Sequence, residues 1–305
     1  MSYALVFPGQ GTQHPDMLPW LGREVAGGEA LRALEGALGA DWRARLAEPA
    51  WAERNDVAQP LLAGVCLAAW EAVRGGLPRP AAVAGYSVGE LAAFAAAGVF
   101  DIPAALRLAG VRAAAMDACA RAAPGGLLAV SDFAIEASAA AAVRHGLAVA
   151  IRLSPLQCLL GGAPAALDGA AAELARAGAR CKRLPIAVAS HTPQMQGATD
   201  ALRAAFAGMA FARPDAVVVC DASARAERTP AALKEALAAQ VSRTVAWDAC
   251  MDALAERRVR CVLELGPGAT LAKLWNARHP GIPAHAIDEF RSPQAASDWV
   301  SRQVA

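Results

Sequence analysis

The chain has 305 residues, of which 56% are hydrophobic and 19% are charged, so it is long enough for one large domain and too apolar to be disordered. Its net charge is +1 with no basic block, which gives no support for nucleic-acid binding, and its seven scattered cysteines contain no C-x-x-C pair that would indicate a metal site or a disulfide framework. The N-terminus does not resemble a signal peptide and the alanine-rich runs are interrupted by Gly, Arg, Asp and Pro, so we expect a soluble, cytoplasmic protein that does not enter a membrane.

The first part of the chain alternates predicted strands and helices. A strand is predicted over Tyr3–Phe7, and Gly9 and Gly11 after it would let the backbone approach a ligand closely. A largely apolar helix is expected from Gln59 to Arg74, where a glycine pair ends it, and Pro103 opens a further helix.

A glycine-flanked turn around a serine is the most informative motif. Residues 85–89 (Gly-Tyr-Ser-Val-Gly), called the elbow below, join a predicted buried strand end at Ala81–Ala84 to a predicted helix at Val88–Ala97. A serine on such a turn projects outward at a helix N-terminus, where backbone N–H groups face an incoming anion. This context is typical of a nucleophile for acyl transfer, here Ser87. The alternative is a tight turn that contains a buried serine.

The segment from 123 to 188 has its own order of elements. Its predicted strands are Gly126–Val130, Leu147–Leu153, Gln157–Leu160 and Cys181–Val188. Its predicted helices are Ile135–His145 and Pro164–Ala177. The order βαββαβ is that of a ferredoxin-like unit. We therefore expect one α/β core formed by residues 1–122 and 189–305, with residues 123–188 inserted into it as a small subdomain.

A serine nucleophile needs a base, and five histidines are available. His191 directly follows the apolar run Ile186–Ala189, a predicted strand end, and Thr192-Pro193 stops any continuation. Side chains at strand ends of such sheets point into ligand crevices, which makes His191 a candidate base. A helix-capping or surface histidine is the equal alternative. Of the other four, His14 lies in the glycine-rich loop and His145 at a predicted helix end. His279 precedes a proline, and His285 lies in a predicted late strand.

Acyl transfer also needs N–H donors for a tetrahedral oxyanion. The N–H of Val88 directly follows the serine, and the N–H of Gln10 in the glycine-rich loop is the natural second donor. Arg112 stands on a predicted helix among small and apolar residues, which suggests bidentate binding of a carboxylate. An arginine whose head extends into solvent at the helix surface is the alternative.

Taken together, these segments resemble the malonyl-CoA:acyl-carrier-protein transacylase family over essentially the whole chain. The matching segments, in the right order, are Phe7–Gln13, Gln59-Pro60, Gly85–Leu91, Arg107–Met116, Ser190–Pro193 and Leu263–Gly268. The family fold is a hydrolase-like α/β core with a parallel sheet and a ferredoxin-like insert, in agreement with the predicted elements.

The resemblance implies a role for each candidate residue. Ser87 is expected to be the nucleophile with His191 as its base, and the N–H groups of Gln10 and Val88 to hold the oxyanion. Arg112 is expected to bind the free malonyl carboxylate. Further substrate contacts are expected from Met116 and Gln13. The family uses a Ser–His dyad in which a backbone carbonyl orients the imidazole, so no acidic third member, metal or cofactor is expected. Malonyl-CoA and an acyl carrier protein are the expected substrate and partner.

Three positions depart from the fatty-acid-synthesis pattern. Tyr86 stands where most such members have His, and Ala246 stands where a Gln or Asn is common and where a carbonyl is expected to orient His191. Leu153–Leu156 replaces an Asn-Ser-Pro-Gly type of segment. These changes look more like the malonate decarboxylase epsilon subunit, which implies that the acceptor is that enzyme's carrier protein and that its other subunits are further partners. The alternative is a fatty-acid-synthesis transacylase.

Two other classes of function compete with malonyl transfer. A serine esterase or thioesterase would use the same elbow but would need an acid to complete a triad and no carboxylate-binding arginine. A non-enzymatic subunit that docks a carrier would carry a decayed site, whereas Ser87, His191, Gln10 and Arg112 are all present.

Overall fold

The computed structural model of the chain describes residues 2–24 and 28–305. Its strands are Tyr3–Phe7 (β1), Ala82–Gly85 (β2), Gly126–Ser131 (β3), Ala148–Ser154 (β4), Gln157–Gly162 (β5), Arg180–Arg183 (β6), Val217–Cys220 (β7), Arg225–Glu227 (β8), Val245–Ala246 (β9), Cys261–Glu264 (β10) and Ala284–Ala286 (β11). Its α-helices are Leu21–Glu24 (α1), Glu29–Leu38 (α2), Trp42–Arg45 (α3), Pro49–Ala52 (α4), Asn55–Arg74 (α5), Gly89–Ala96 (α6), Ile102–Ala122 (α7), Ile135–Arg144 (α8), Pro164–Arg176 (α9), Gln196–Ala207 (α10), Pro230–Ala239 (α11), Trp247–Ala255 (α12), Thr270–Arg278 (α13) and Pro293–Val304 (α14). Short 3-10 helices lie at Pro193–Met195, Gln240–Ser242 and Ile287–Glu289.

The larger sheet has the strand order β11-β10-β1-β2-β7-β8. Its neighbouring strands run parallel, except that β8 pairs antiparallel with β7. Along β1 the side chains alternate between two cores, with Leu5 and Phe7 on one face and Ala4 and Val6 on the other. Helices cover both faces, which is why the central strands are apolar on both sides. The predicted α/β core with a parallel sheet is confirmed.

The register of the central strands brings the two functional loops together. Phe7 at the end of β1 is opposite Gly85 at the end of β2. The glycine-rich loop after β1 and the elbow after β2 therefore leave the sheet side by side, at the carboxyl edge where ligands bind in open α/β sheets.

The smaller sheet has the strand order β6-β3-β5-β4-β9. Its first four strands pair antiparallel and, with α8 and α9, complete the predicted βαββαβ order. Strand β9 lies outside the predicted insert and adds to this sheet parallel to β4. The residue boundaries of the two subdomains stay a prediction.

Helix α5 is longer than expected. It begins at Asn55 and not near Gln59, so that Pro60 lies inside it. The predicted start at Gln59 puts Pro60 in the first helical turn, where proline is normally found. Among the described residues, α5 has the length and hydropathy of a membrane span, but 78% of that stretch is buried within the protein, as in a core helix.

The predicted strand over Cys181–Val188 is wrong in its second half. The observed strand β6 ends at Arg183, and residues 184–188 follow as an irregular segment. The N–H of Leu184 still donates to the carbonyl of Leu127, but Pro185 has no N–H to continue a ladder. The apolar run before His191 predicts that this residue follows a strand end. In the structure it follows an irregular segment instead.

Candidate active site

The elbow holds Ser87 in a left-handed backbone conformation, with φ of +56°. The two flanking glycines are required by close packing. A Cβ at Gly85 would lie 2.1 Å from the N atom of Glu90, and one at Gly89 would lie 2.2 Å from the carbonyl oxygen of Phe7. Helix α6 thus approaches the ends of β1 and β2 more closely than any larger residue at these two positions permits, and this places the serine at the helix N-terminus.

His191 contacts the serine across the sheet edge. Its Nε2 lies 2.8 Å from Ser87 Oγ, and its Nδ1 lies 2.7 Å from the carbonyl oxygen of Gln240. Because a carbonyl can only accept, Nδ1 carries the hydrogen and the lone pair of Nε2 faces the hydroxyl. His191 itself lies on a turn with φ of +62°, anchored by its N–H to the carbonyl of Val241. The imidazole is thus oriented as a proton acceptor for Ser87.

The electrostatic surroundings keep this imidazole neutral. His191 is 1% exposed, and burial lowers its pKa to about 3, with the Arg112 guanidinium acting in the same direction. The hydrogen bond to Gln240 opposes that shift without reversing it. Near neutral pH, Nε2 is therefore free to take a proton.

The carbonyl that orients His191 is not the one predicted. Ala246 was expected in that role, but its N–H donates to the carbonyl of Asp221 and the residue pairs with β4. The orienting residue Gln240 lies in the short helix after α11. Because any residue type supplies a carbonyl, sequence carries little signal for this contact.

Arg112 extends from α7 into the core and is only 3% exposed. Its guanidinium donates to Gln59 Oε1 at 2.8 Å, to Gln240 Oε1 at 2.9 Å and to Ser87 Oγ at 3.2 Å, and its Nε has no partner among the described residues. These acceptors are all neutral. Burial lowers the pKa of Arg112 to about 10, which leaves it charged at neutral pH. A cation held beside the serine by neutral oxygens is suited to bind an anionic group of a ligand.

The two proposed oxyanion donors share a cavity with the serine. Gln10 and Val88 both line the cavity that contains Ser87. Gln13 does not line this cavity but lines an adjoining one together with Gln10, and its expected substrate contact stays a prediction. The Gln13 side chain accepts from the N–H of Gly11 and donates to the carbonyl of Ala52, which fixes the loop that carries Gln10.

A cavity of about 250 Å³ lies above these groups, between the two sheets. Met116 lines it beside Gln59, and its expected substrate contact stays a prediction. Tyr86 also lines the cavity and packs edge-on against Trp247, at 5.4 Å between ring centroids. Much of the remaining wall is aliphatic and comes from the smaller sheet, the irregular segment after it and α13: Leu127, Ile151, Leu153, Leu159, Leu184 and Leu274. Of the segment Leu153–Leu156, Leu153 faces this cavity, whereas Leu156 is exposed.

The chain that carries this serine, histidine and arginine matches a known protein family. The family model described as acyl transferase domain matches residues 4–279. This chain belongs to that family. The acyl transferase domain accounts for nearly the whole length, which includes the elbow, His191 and Arg112.

Several relatives of known name are similar over their whole length. The malonyl CoA-acyl carrier protein transacylase of Mycobacterium tuberculosis is 34% identical over 293 residues, which cover 93% of this chain and 95% of that protein. The enzyme of the same name from Escherichia coli is 30% identical over 305 residues, covering 96% and 98%. A solved structure of a type II PKS acyl-carrier protein in complex with its malonyl-transacylase matches with a TM-score of 0.90 at 27% identity, covering 98% and 99%.

Three buried polar residues of this acyl transferase domain were not singled out from sequence. Glu90, Asp221 and Gln240 are each 0% exposed and all lie around Ser87. One signal was available for Asp221, which directly follows the apolar strand β7, because residues that follow parallel strands meet at the ligand edge of the sheet. Glu90 and Gln240 lie within helical segments, where burial is decided by tertiary packing.

Proposed function

We propose that this acyl transferase domain moves a malonyl group from malonyl-CoA to the thiol of an acyl carrier protein through a malonyl ester on Ser87. The observation that carries the proposal is the buried guanidinium of Arg112, 3.2 Å from Ser87 Oγ and held by neutral acceptors. Such a cation favours an acyl group that ends in a free carboxylate. The names of the relatives support the same substrate and acceptor.

The first half-reaction follows from the hydrogen bonds at the serine. His191 Nε2 takes the Ser87 proton while Oγ attacks the thioester carbonyl carbon of malonyl-CoA. The carbonyl oxygen becomes an oxyanion and accepts from the N–H groups of Val88 and Gln10. When this intermediate collapses, the carbon–sulfur bond breaks, and the imidazolium of His191 gives its proton to the leaving CoA thiolate.

The second half-reaction reverses these steps with a new thiol. His191 takes the proton of the carrier thiol, and the thiolate attacks the carbonyl carbon of the malonyl ester. The ester bond to Ser87 breaks and its oxygen recovers the proton from His191. The malonyl group leaves on the carrier and the free enzyme is restored, which gives ping-pong kinetics.

The acceptor is better assigned to a carrier of the fatty-acid-synthesis type than to the carrier of malonate decarboxylase. Ala246 no longer supports the decarboxylase reading, because Gln240 orients His191. Tyr86 and Leu153 line the cavity and depart from the fatty-acid-synthesis pattern, but they leave the pair of Ser87 and His191 unchanged. The relatives named above are transacylases for acyl carrier proteins, which supports the same choice.

A thioesterase is disfavoured by two contacts. The imidazole Nδ1 faces the carbonyl of Gln240 and not the acid that a triad requires. Arg112 lies beside Ser87, where an uncharged acyl chain has no group that would pair with a guanidinium. A decayed, non-enzymatic subunit is disfavoured because Ser87 and His191 are within hydrogen-bond distance of each other.

The test is the fate of an acyl-enzyme formed from radiolabelled malonyl-CoA. Isolated acyl-enzyme is mixed with buffer alone, with a fatty-acid-synthesis carrier, or with a malonate decarboxylase carrier, and the two carriers are then compared at equal concentration. We expect slow discharge to water, rapid discharge to carrier thiol and preference for the fatty-acid carrier. Discharge to water as fast as to thiol would indicate a thioesterase, absence of acyl-enzyme a non-enzymatic subunit, and preference for the other carrier the decarboxylase role.

A further inference from the structure

Four residues around the elbow form a closed ring of hydrogen bonds. The N–H of Ser87 donates to Asp221 Oδ2 at 2.9 Å, and the N–H of Asp221 donates to Glu90 Oε1 at 2.7 Å. Gln240 Nε2 then closes the ring, because it donates both to Glu90 Oε2 at 3.2 Å and to the carbonyl of Ser87 at 2.8 Å. Both peptide groups of the serine are therefore held by side chains from distant parts of the chain.

The same ring reaches the base and the cation. Gln240 uses both amide hydrogens inside the ring, its side-chain oxygen accepts from Arg112, and its backbone carbonyl accepts from His191. A shift of Gln240 would therefore move all three groups at the reacting atoms. Its side chain is kept in place by Ser87 and by Glu90, whose other oxygen is fixed by Asp221.

Asp221 is fixed on a rigid strand end and not on a loose loop. Strand β7 pairs parallel with β2, with Ala84 opposite Val219, so the residue two positions further lies beside the elbow. Its carbonyl accepts from the N–H of Ala246 at 2.9 Å, and the residue is fully buried. Its side chain therefore presents an acceptor to the N–H of Ser87 at a set distance.

The elbow needs such an acceptor. Ser87 has φ of +56°, a conformation that costs a non-glycine residue free energy and persists where surrounding contacts hold it. The N–H of Ser87 points to Asp221, away from the reacting hydroxyl, so this contact leaves Oγ free for His191.

We propose that Asp221 is a positioning residue whose side-chain oxygen, bonded to the N–H of Ser87, holds the elbow in the conformation that aligns Ser87 with His191. It touches neither the acyl group nor the thiol and acts through the ring. The inference rests on the proposed function only in taking Ser87 as the nucleophile.

The test compares Asp221→Ala with Asp221→Asn, which keeps an oxygen acceptor of the same reach. Asp248→Asn is the matched control, since Asp248 is also a buried carboxylate, 5% exposed, but contacts Arg152 and the N–H of Ala249 and not the ring. Two rates are measured. One is the modification of Ser87 by phenylmethanesulfonyl fluoride, a neutral reagent that contains neither CoA nor a carboxylate. The other is malonyl transfer, with kcat and KM separated.

We expect Asp221→Ala to lower both the sulfonylation rate and kcat by about 10–100-fold, because a small misplacement of a nucleophile has effects of this size. KM for malonyl-CoA should stay within about threefold, since no substrate contact is removed. The Asn variant should recover activity to within about tenfold of wild type, because the acceptor is retained. The control should match wild type in both rates. If the Ala variant does not fold, Asp221→Ser replaces it, because its hydroxyl is too short to reach.

Three results would overturn the proposal: an unchanged sulfonylation rate in the folded Ala or Ser variant, a raised KM with unchanged kcat, or an Asn variant as slow as Ala. Different results would contradict the proposed function. Wild-type protein that is sulfonylated at Ser87 but does not transfer malonyl would contradict the function while the comparison of variants still tests Asp221. Wild-type protein that is not sulfonylated at Ser87 would contradict both its role as nucleophile and this inference.

Discussion

Replacement of Arg112 should change which acyl group the protein prefers. The side chain is 3% exposed, and its terminal nitrogens contact Gln59, Gln240 and Ser87 Oγ, the last at 3.2 Å. Arg112→Ala removes the charge and the planar donors together. Arg112→Lys keeps a charge but lacks the paired donors that match a carboxylate.

The expected loss of malonyl transfer follows from the hydrogen bonds that Arg112 would donate to the malonyl carboxylate. Charge-assisted hydrogen bonds contribute roughly 1.5–3 kcal/mol, equivalent to about 10–150-fold in kcat/KM, and the buried carboxylate would be left without its partner. An acetyl group has no carboxylate, so its transfer is affected only through the contacts of Arg112 with Ser87 Oγ, Gln59 and Gln240, which are lost with both substrates. The ratio of malonyl to acetyl transfer therefore isolates the carboxylate contact, and it should fall by about 10–150-fold in the Ala variant and less in the Lys variant.

The assay measures kcat/KM with malonyl-CoA and with acetyl-CoA for wild type and both variants. Arg107→Ala is the control, because Arg107 lies on the same helix but is exposed, and its ratio should match wild type. A ratio that stays constant in Arg112→Ala would refute the carboxylate contact. Equal loss with both substrates would assign Arg112 to the support of Ser87 alone.

Two further predictions concern pH and packing. Because burial lowers the pKa of His191 to about 3, this base should not slow the sulfonylation of Ser87 between pH 8 and pH 5, whereas a histidine of ordinary pKa would slow the reaction about 30-fold over that range. Burial raises the pKa of Asp221 to about 7, so the profile is measured in Asp221→Asn, and an inflection near pH 6.5 in that variant would contradict the neutral buried base. Gly89→Ala should lower the free energy of unfolding by at least ~1–3 kcal/mol, measured by urea denaturation, because its Cβ would lie 2.2 Å from the carbonyl oxygen of Phe7. Gly110→Ala, a helix position with open space around the Cβ, should be neutral or stabilising, and similar losses in both variants would contradict the packing argument.

The lowered pKa of His191 also makes the stability of the folded protein depend on pH. The folded His191 titrates near pH 3 and the unfolded residue near its ordinary 6.5, so the unfolded chain binds more protons between these values. The contribution of His191 to stability is therefore complete above about pH 6.5 and is lost as the pH falls toward 3. Asp221 acts oppositely, because burial raises its pKa to about 7 and its ionisation costs stability as the pH rises toward that value.

Local patterns in the sequence were sufficient for the elbow and the small sheet. Two glycines around Ser87 allow few backbone paths between a strand and a helix, and the structure has that turn. The βαββαβ order could be predicted because turn residues separate short apolar runs there. The elbow motif indicated Ser87, and the resemblance favoured His191 over the equal alternative of a capping or surface histidine. Their contact depends on parts of the chain that are 104 positions apart.

What could not be predicted depends on tertiary contacts. The end of β6 at Arg183 is an exception, because Pro185, which has no N–H, is visible in the sequence within the apolar run 184–188. The hydrogen bonds of the Gln13 amide to Gly11 and Ala52 could not be predicted, because they depend on how the loop folds. The ring through Asp221 and Gln240 joins segments that are far apart in sequence, and only the fold brings them together.

The most direct test of the account is the site of the acyl-enzyme. The protein is mixed with malonyl-CoA, quenched in acid, digested and mapped by mass spectrometry, with Ser87→Ala alongside and Ser301→Ala, an exposed serine on α14, as the control. We expect one malonyl group per chain on the peptide that contains Ser87 in wild type and control, and none in Ser87→Ala. A malonyl group on another residue, or its retention in Ser87→Ala, would contradict the central claim.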